Sequence, residues 1–459
     1  MRDAALAFLL ERIDYERQPA AIYGEHSYPL GRMRELLARL GDPHIGLPTV
    51  HVAGTKGKGS TAAMIAAALS AAGHSTGLFS SPHLNRVEER FAVDGQPCTE
   101  AEFVELVERL RPVALQMDAE AARQQGAGPT YFELTTALAL LHFRRRGVAA
   151  AVLEVGMGGR LDSTNVVTPA VSVITSISFD HMKQLGHTLA AIAGEKAGII
   201  KPGVPVVSGV TQDEPRVVIE RIAAERGSRI MQLGRDFSFT YQPPKHLDAA
   251  AALGRIDFTL RNEAGEQSLH GVELGLLGSH QGANAAVVLA TLAELRTRGW
   301  KLPEEAVRRG LASVRWPARV EVVSRRPVVV IDAAHNGASI EALLTTLDES
   351  FLPRRRGLIF ATTKEKDLTG MLGQLLPKFD RVIFTRYRNN PRGVPPEELL
   401  ELDGPSRSHC SVAADPKSAW EAMRLWATPD DLVCVTGSFF IAAEMRSEMT
   451  KAEIRMTKE

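Results

Sequence analysis

The sequence is short of cysteine, has no net charge, and contains no long apolar run. Only Cys98, Cys410 and Cys434 occur among its 459 residues, far apart in the chain. They show neither metal-ligand spacing nor a disulfide framework, which suits a reducing compartment. Cys434, inside the apolar run D-L-V-C-V-T, reads as a core thiol. Lys+Arg and Asp+Glu both number 54. Charge therefore gives no reason to expect nucleic acid or an anionic membrane as partner, although local basic patches can still bind anionic ligands. No apolar stretch approaches the length of a membrane span. The apolar patch at 4–10 is followed at once by Glu11 and Asp14, without the basic start or cleavage pattern of a signal peptide. An amphipathic helix and a cytoplasmic location are expected. Internal repeats and low-complexity segments are also missing.

What is present is enough apolar residue, 44%, to build two or three domains over this length. The most informative stretch is 49–73. It opens T-V-H-V-A-G-T-K-G-K-G-S-T and continues as an alanine-rich run, which predicts a buried strand, a glycine-rich turn and a helix over 60–72 capped by Gly73. Gly54, Gly57 and Gly59 surround Lys58, and Ser60 and Thr61 follow. Glycines let backbone N–H groups approach an anion, lysine neutralises charge, and a hydroxyl can ligate a metal. The spacing departs from G-x-x-x-x-G-K-[ST], because Gly59 separates Lys58 from Ser60.

Strand and helix patterns alternate around this loop. Two helices are expected in 1–42, on either side of the loop A-I-Y-G-E-H-S-Y-P-L-G, the second at 32–40. Strands are expected at 76–79, 148–155, 170–178 and 204–210, and helices over 99–125, from Thr130 onward, and over 189–200. Polar clusters sit after the strands, where open α/β sheets bind ligands: S-S-P-H-L after 79, Glu154 before V-G-M-G-G-R-L-D-S-T-N, and Asp180–His181. A carboxylate at the end of a buried strand is costly unless paired or metal-bound, so Glu154 is the natural magnesium ligand of a phosphate-loop protein. His181 is either a satisfied core or surface residue or a metal or phosphate ligand. Glu133, near a helix start, is structural, ligand-binding or both. A small antiparallel sheet is expected from runs at 237–241, 256–260 and 272–276. Helices follow, one running to Gly299 and one at 302–315. At R-W-P-A-R-V-E-V-V the composition changes, and strands at 328–331, 357–361, 381–385 and 432–435 make a second, smaller α/β domain. The expected division is 1–315 and 316–459.

These motifs fall into one order: G-T-K-G-K-G-S-T, S-S-P-H-L, T-Y-F-E, E-V-G-M-G-G-R-L-D-S-T-N, S-F-D-H, G-E-K-A-G-I, H-Q-G-A-N-A, W-P-A-R, D-A-A-H-N and V-T-G-S-F-F. Together they resemble the dihydrofolate synthase/folylpolyglutamate synthase family of the Mur ligase superfamily over nearly the whole chain. The resemblance implies an ATP-binding domain with a mostly parallel sheet and a small antiparallel sheet, followed by a smaller Rossmann-like α/β domain. It implies that ATP phosphorylates a carboxylate and that the amine of L-glutamate then attacks the acyl phosphate. By the same resemblance Thr55, Gly57, Lys58, Gly59 and Ser60 hold the ATP phosphates, and Asn284, Arg319 and Asp332 contact the nucleotide. Ser81, Glu154 and His181 bind Mg2+. Lys196 matches a lysine that is carbamylated, and His335 and Ser438 match positions near glutamate and phosphate. Thr130, Tyr131, Phe132, Glu133, Leu161 and Asp162 match the pterin-side pocket. Lys58, Lys196 and His335 are the expected catalytic residues. The expected cofactors are ATP as substrate, Mg2+ and K+, and the expected partners are dihydropteroate or folate and L-glutamate, with a monomer acting alone.

Three positions depart from the family pattern. Ala318 and Gly337 stand where glycine and proline are usual, and Pro29 replaces an aspartate before L-G. The expected function is addition of L-glutamate to dihydropteroate and then to the γ-carboxyl of folates; a folylpolyglutamate synthase without the dihydrofolate synthase activity is the alternative. A cell-wall Mur ligase would need an extra N-terminal domain, for which little chain precedes Gly54. A non-catalytic nucleotide-binding module is disfavoured by the retained Lys58, Glu154, His181 and Arg319.

Overall fold

The computed structural model of the chain describes residues 1–14, 30–262, 265–364, 366–388, 390–402 and 409–456. Most of the loop expected at 21–31, Pro29 included, lies outside the described residues, as do Glu263 and Ala264 of the turn at 262–266. The chain divides into two compact units. The first comprises Met1–Thr240, Asp257–Val272 and Ala283–Val314, and the second Tyr241–Ile256, Glu273–Gly282 and Arg315–Glu459.

The first unit is built on an eight-stranded sheet. Its order is Gln96–Pro97, Phe91–Val93, Thr76–Phe79, Ala150–Glu154, Thr49–Ala53, Val171–Ile174, Val206–Ser208, Ile230–Gln232. All pairings are parallel except those of Phe91–Val93 with its two neighbours. The three central strands are buried at every position, so both faces must be apolar, and the sequence there is nearly continuous Val, Ala, Ile and Leu. Val52 lies opposite Glu154, and Ala53 lies opposite Ile174. This register brings the glycine loop, Glu154 and the segment after Ile174 to one edge of the sheet.

The Lys58–Ala71 helix is buried on most of its circumference. Its alanines let the Glu304–Ser313 helix approach closely. A Cβ at Gly310 would stand 2.6 Å from the Ala68 Cα, so only glycine fits there. Met64, Ile65 and Leu69 are fully buried and contribute roughly 1.5–3 kcal/mol each.

The second unit carries a six-stranded sheet in the order Glu321–Arg325, Val328–Ile331, Leu432–Thr436, Arg356–Phe360, Arg381–Phe384, Cys410–Val412. Only the first strand is antiparallel. Ile331 pairs with Val435, so the segments after both strands open at the same edge. A three-stranded sheet is formed by Phe237–Gln242, Gly254–Asn262 and Gly265–Leu274.

The expected α/β architecture is therefore present, with corrections at the edges. The Asp213–Glu225 helix and the strand Ile230–Gln232 were not anticipated, nor were the outer strands of the second sheet. Those outer strands are half-exposed and short and lack the continuous apolar signal. The strand expected over 170–178 ends at Ile174, because residues 175–178 leave the sheet to bond the glycine loop. The last strand of the small sheet lies at Gly265–Leu274, earlier than 272–276. Among the described residues no helix is long and apolar enough to cross a membrane.

Candidate functional site

The glycine loop is held from one side by the segment that follows Ile174. Thr55 N–H donates to the Ser176 carbonyl (2.7 Å), and Lys56 N–H donates to Ser176 Oγ (3.0 Å). Thr175 Oγ1 donates to the Lys56 carbonyl (2.6 Å), and Ser178 N–H donates to Thr55 Oγ1 (3.1 Å). Two glycines are required by contact as well as by conformation. At Gly54 (φ +150°) a Cβ would lie 1.9 Å from Thr175 Oγ1. At Gly57 (φ +81°) it would lie 2.3 Å from Asn284 Oδ1. Asn284 therefore packs on the turn of the loop. Gly57→Ala should destabilise the fold by about 1–3 kcal/mol and weaken nucleotide binding, since strain and collision act at one atom. Thermal unfolding and a nucleotide titration check this; unchanged values would contradict it.

Helix formation begins at Lys58, two residues earlier than expected. The first turn thus presents backbone N–H groups that have no intrahelical acceptor. Lys58 Nζ donates to the Thr55 carbonyl (3.4 Å). Burial lowers its pKa, Glu154 opposes this, and Lys56 reinforces it. Lys196, on the Leu189–Ala197 helix, is buried and donates from Nζ to the Gly54 carbonyl (2.9 Å). Burial first, and the charge of Lys58 second, push its pKa down to about 7. Two desolvated amines therefore flank the loop, and Lys56 pairs with Asp180 (3.1 Å) beside them.

Glu154 is buried at its strand's end, and Oε2 accepts from Ser81 N–H (3.2 Å). Ser81 and Glu154 are thereby brought together through the Ser81 backbone. His181 sits on the next loop with φ +48°, its ring largely exposed and 3.9 Å from Asp180. Ser60 is buried in the first turn of the loop helix.

The residues expected for the pterin side are packed around structural bonds. Thr130 caps the Tyr131–Arg146 helix in a reciprocal box with Glu133. Arg32 also grips the Glu133 carboxylate (2.8 Å), so that acid is engaged within the fold. Tyr131 is buried beneath the Arg90 guanidinium, 5.3 Å from its ring centre. The Phe132 ring lies where a Cβ on Gly156 would stand, 2.6 Å away. Leu161 is buried. Asp162 ties the following loop together, accepting from the N–H groups of Gly156, Met157 and Thr164 and from Thr164 Oγ1. Burial raises its pKa against those bonds. His51 in the central strand completes the chain through Thr164 Oγ1 (2.8 Å), and burial drives its pKa down to about 3. His51, Arg32, Thr175 and Ser176 escaped sequence reading. Only the polar residue at the centre of T-V-H-V-A hinted at the first.

In the second unit Asp332 follows Val328–Ile331. It accepts from Val320 N–H (2.9 Å) and Ala334 N–H (2.7 Å). Burial raises its pKa and the Arg319 charge opposes this. Arg319 lies between two left-handed non-glycine residues, Ala318 (φ +57°) and Val320 (φ +45°), with its guanidinium 5.7 Å from the Phe439 ring centre. Ala318 thus adopts the conformation for which glycine is usual. His335 Nδ1 lies 2.9 Å from the Ala333 carbonyl, and buried Ser438 accepts from Ile441 N–H. Gly337 opens the Gly337–Ser350 helix after the Asn336 cap, whose extended backbone suits a following proline. Gly337→Pro should therefore raise stability by about 0.4–1 kcal/mol, read from denaturant unfolding; a loss would show that its N–H is needed.

A family model described as Mur ligase middle domain matches residues 52–292. Another, described as Mur ligase, glutamate ligase domain, matches residues 318–439. The chain is 36% identical over 422 residues to the dihydrofolate synthase/folylpolyglutamate synthase of Bacillus subtilis, spanning 92% of this chain and 94% of the relative. It is 37% identical over 424 residues to the folylpolyglutamate synthase of Lacticaseibacillus casei, spanning 91% and 94%. A solved FPGS–AMPPCP–folate complex superposes with a TM-score of 0.79 at 31% identity, spanning 98% of this chain and 99% of that one.

Proposed function

The chain belongs to the dihydrofolate synthase/folylpolyglutamate synthase family of Mur ligases, and from that premise we propose that it is an ATP-dependent ligase joining L-glutamate to dihydropteroate and to the γ-carboxyl of folates. The observation that carries the chemistry is the glycine loop pinned beside Glu154, with Lys58 and Lys196 desolvated against it. The loop amides and Lys58 bind the ATP phosphates. A substrate carboxylate oxygen attacks the γ-phosphorus, the bond to ADP breaks, and an acyl phosphate forms. The glutamate amine then attacks the acyl carbon, phosphate leaves, and the amine proton passes to solvent or a nearby base. Lys58 and the helix N-terminus meet charge as it develops on the transferred group. Asn284, Arg319 and Asp332 serve the nucleotide, and His335 and Ser438 the glutamate and phosphate end. Phe132, Leu161 and the loop braced by Asp162 serve the pterin side, with Glu133 holding the helix that carries Tyr131 and Phe132.

The buried Glu154 carboxylate and the Ser81 hydroxyl are hard oxygen donors that suit Mg2+, with His181 on the neighbouring loop as the third member. Bound there, Mg2+ neutralises phosphate charge. K+ rests on the family resemblance alone. An amine with a pKa near 7 supports the carbamate at Lys196: its lone pair is available to add CO2 at neutral pH. The enzyme acts on small molecules, as a monomer, in the cytoplasm.

The test is product formation from dihydropteroate, glutamate and ATP, with tetrahydrofolate as parallel substrate. Dihydrofolate should appear in the first reaction and a polyglutamate in the second. The name of the L. casei relative favours a second reading, folylpolyglutamate synthesis alone. Turnover of tetrahydrofolate without any dihydrofolate would establish that alternative.

A further inference from the structure

Away from the glycine loop, Cys98, Glu102 and His142 converge in the first unit. Cys98 precedes the Glu100–Arg123 helix, Glu102 stands in its first turn, and His142 lies on the Tyr131–Arg146 helix. A thiol sulfur, a carboxylate oxygen and a ring nitrogen from these residues all lie within 4.8 Å of one another. We propose that they form a site for a zinc-class divalent ion, with water as fourth ligand.

Capping and core packing explain only part of this arrangement. Glu102 completes the cap with Thr99 and pairs with Arg146 (2.9 Å). Cys98, taken alone, is a core thiol. His142 fits neither account: it is 1% exposed, and its Nδ1 is buried without a hydrogen-bond partner among the described residues. Leaving such a buried nitrogen unsatisfied is destabilising.

The donor set selects the ion. Thiolate and imidazole favour Zn2+ or Co2+ and disfavour Mg2+ and Ca2+, which take oxygen ligands. Donors about 2.0–2.3 Å from a tetrahedral ion stand roughly 3.5 Å apart, so small side-chain rotations close the site. Thr99 and Arg146 already orient the Glu102 carboxylate, as outer partners do in metal sites. Burial lowers the pKa of His142, leaving its ring neutral and able to donate a lone pair. Burial, with the charges of Glu102 and Glu88, raises the Cys98 thiol to about 12, while Arg145 and Arg146 oppose this. The metal-free site therefore holds a protonated thiol. Binding replaces that proton: the S–H bond breaks, the S–metal bond forms, and one proton is released to solvent.

The full chain, free of nucleotide and Mg2+, would be titrated with Co2+ and followed by absorption. We expect a thiolate-to-cobalt charge-transfer band that saturates at a single equivalent and disappears on adding Zn2+. Cys98→Ser and His142→Gln should each abolish it, Glu102→Gln should weaken affinity about tenfold or more, and Cys410→Ser should leave it intact. Circular dichroism establishes which variants fold. If Cys98→Ser does not, His142→Gln carries the comparison. No band in the natural protein overturns the proposal, and so does a band of full amplitude in either Cys98→Ser or His142→Gln. The readout needs no substrate, so it stands or falls independently of the ligase assignment.

Discussion

Lys58→Ala should lower kcat for ATP-dependent glutamate addition by roughly 10²–10³-fold, the cost of removing one charge-stabilising group from a preorganised site. Lys58 is the first residue of its helix, and its ammonium lies among Thr55, Glu154, Lys56 and Asp180. Loop amides can cradle phosphate without it, but they carry only partial charge. Folding should survive, because the substitution removes a cation that burial already disfavours. Unfolding temperature and kcat therefore separate: the first stays level or rises while the second collapses. Lys58→Arg should not restore turnover, because a planar guanidinium cannot occupy the compact position of an ammonium. Activity within a fewfold of the natural protein would remove Lys58 from the chemistry.

Lys196→Ala is the second large effect, again roughly 10²–10³-fold in kcat. Lys196 supports the loop through the Gly54 carbonyl and, as a carbamate, would place an anion within the electrostatic reach of Lys58 and Lys56. A purely structural lysine and a carbamylated one differ in rescue. Added short carboxylic acids should recover part of the lost rate if an anion is what the site needs, and recover nothing if the Nζ–carbonyl bond is the whole role. Stability gives an independent check. The folded pKa of about 7 lies below the ordinary 10.5, so the unfolded chain binds the proton more tightly across that window. This group's contribution to stability is therefore most unfavourable below about pH 7 and improves as pH rises toward 10.5. Lys196→Met should gain most over the natural protein in acid, with the gain shrinking as pH rises. A pH-independent difference would contradict the lowered pKa.

The central strands were legible because they are buried on both faces, and continuous runs such as A-A-V-L-E leave few other structures to form. The glycine loop was legible for a related reason: Gly54 and Gly57 occupy positive φ and meet side chains where any Cβ would collide. Edge strands were not, since half-exposed residues such as Glu321 and Ser324 carry no apolar signature. Nor were partners distant in sequence. Arg32 lies 101 residues from Glu133, and His51 lies 113 from Thr164. Nothing local announces such pairs. Glu133 and Asp162 hold their segments together through every bond described for them, while Ser81 and Glu154 meet at the sheet edge beside Lys58.

The central claim is that ATP activates a carboxylate as an acyl phosphate. It is tested most directly with dihydropteroate carrying ¹⁸O in its carboxylate. Attack on the γ-phosphorus transfers that oxygen, so each amide formed should release one phosphate bearing ¹⁸O, alongside ADP. Unlabelled phosphate, or release of AMP and pyrophosphate, would contradict the account.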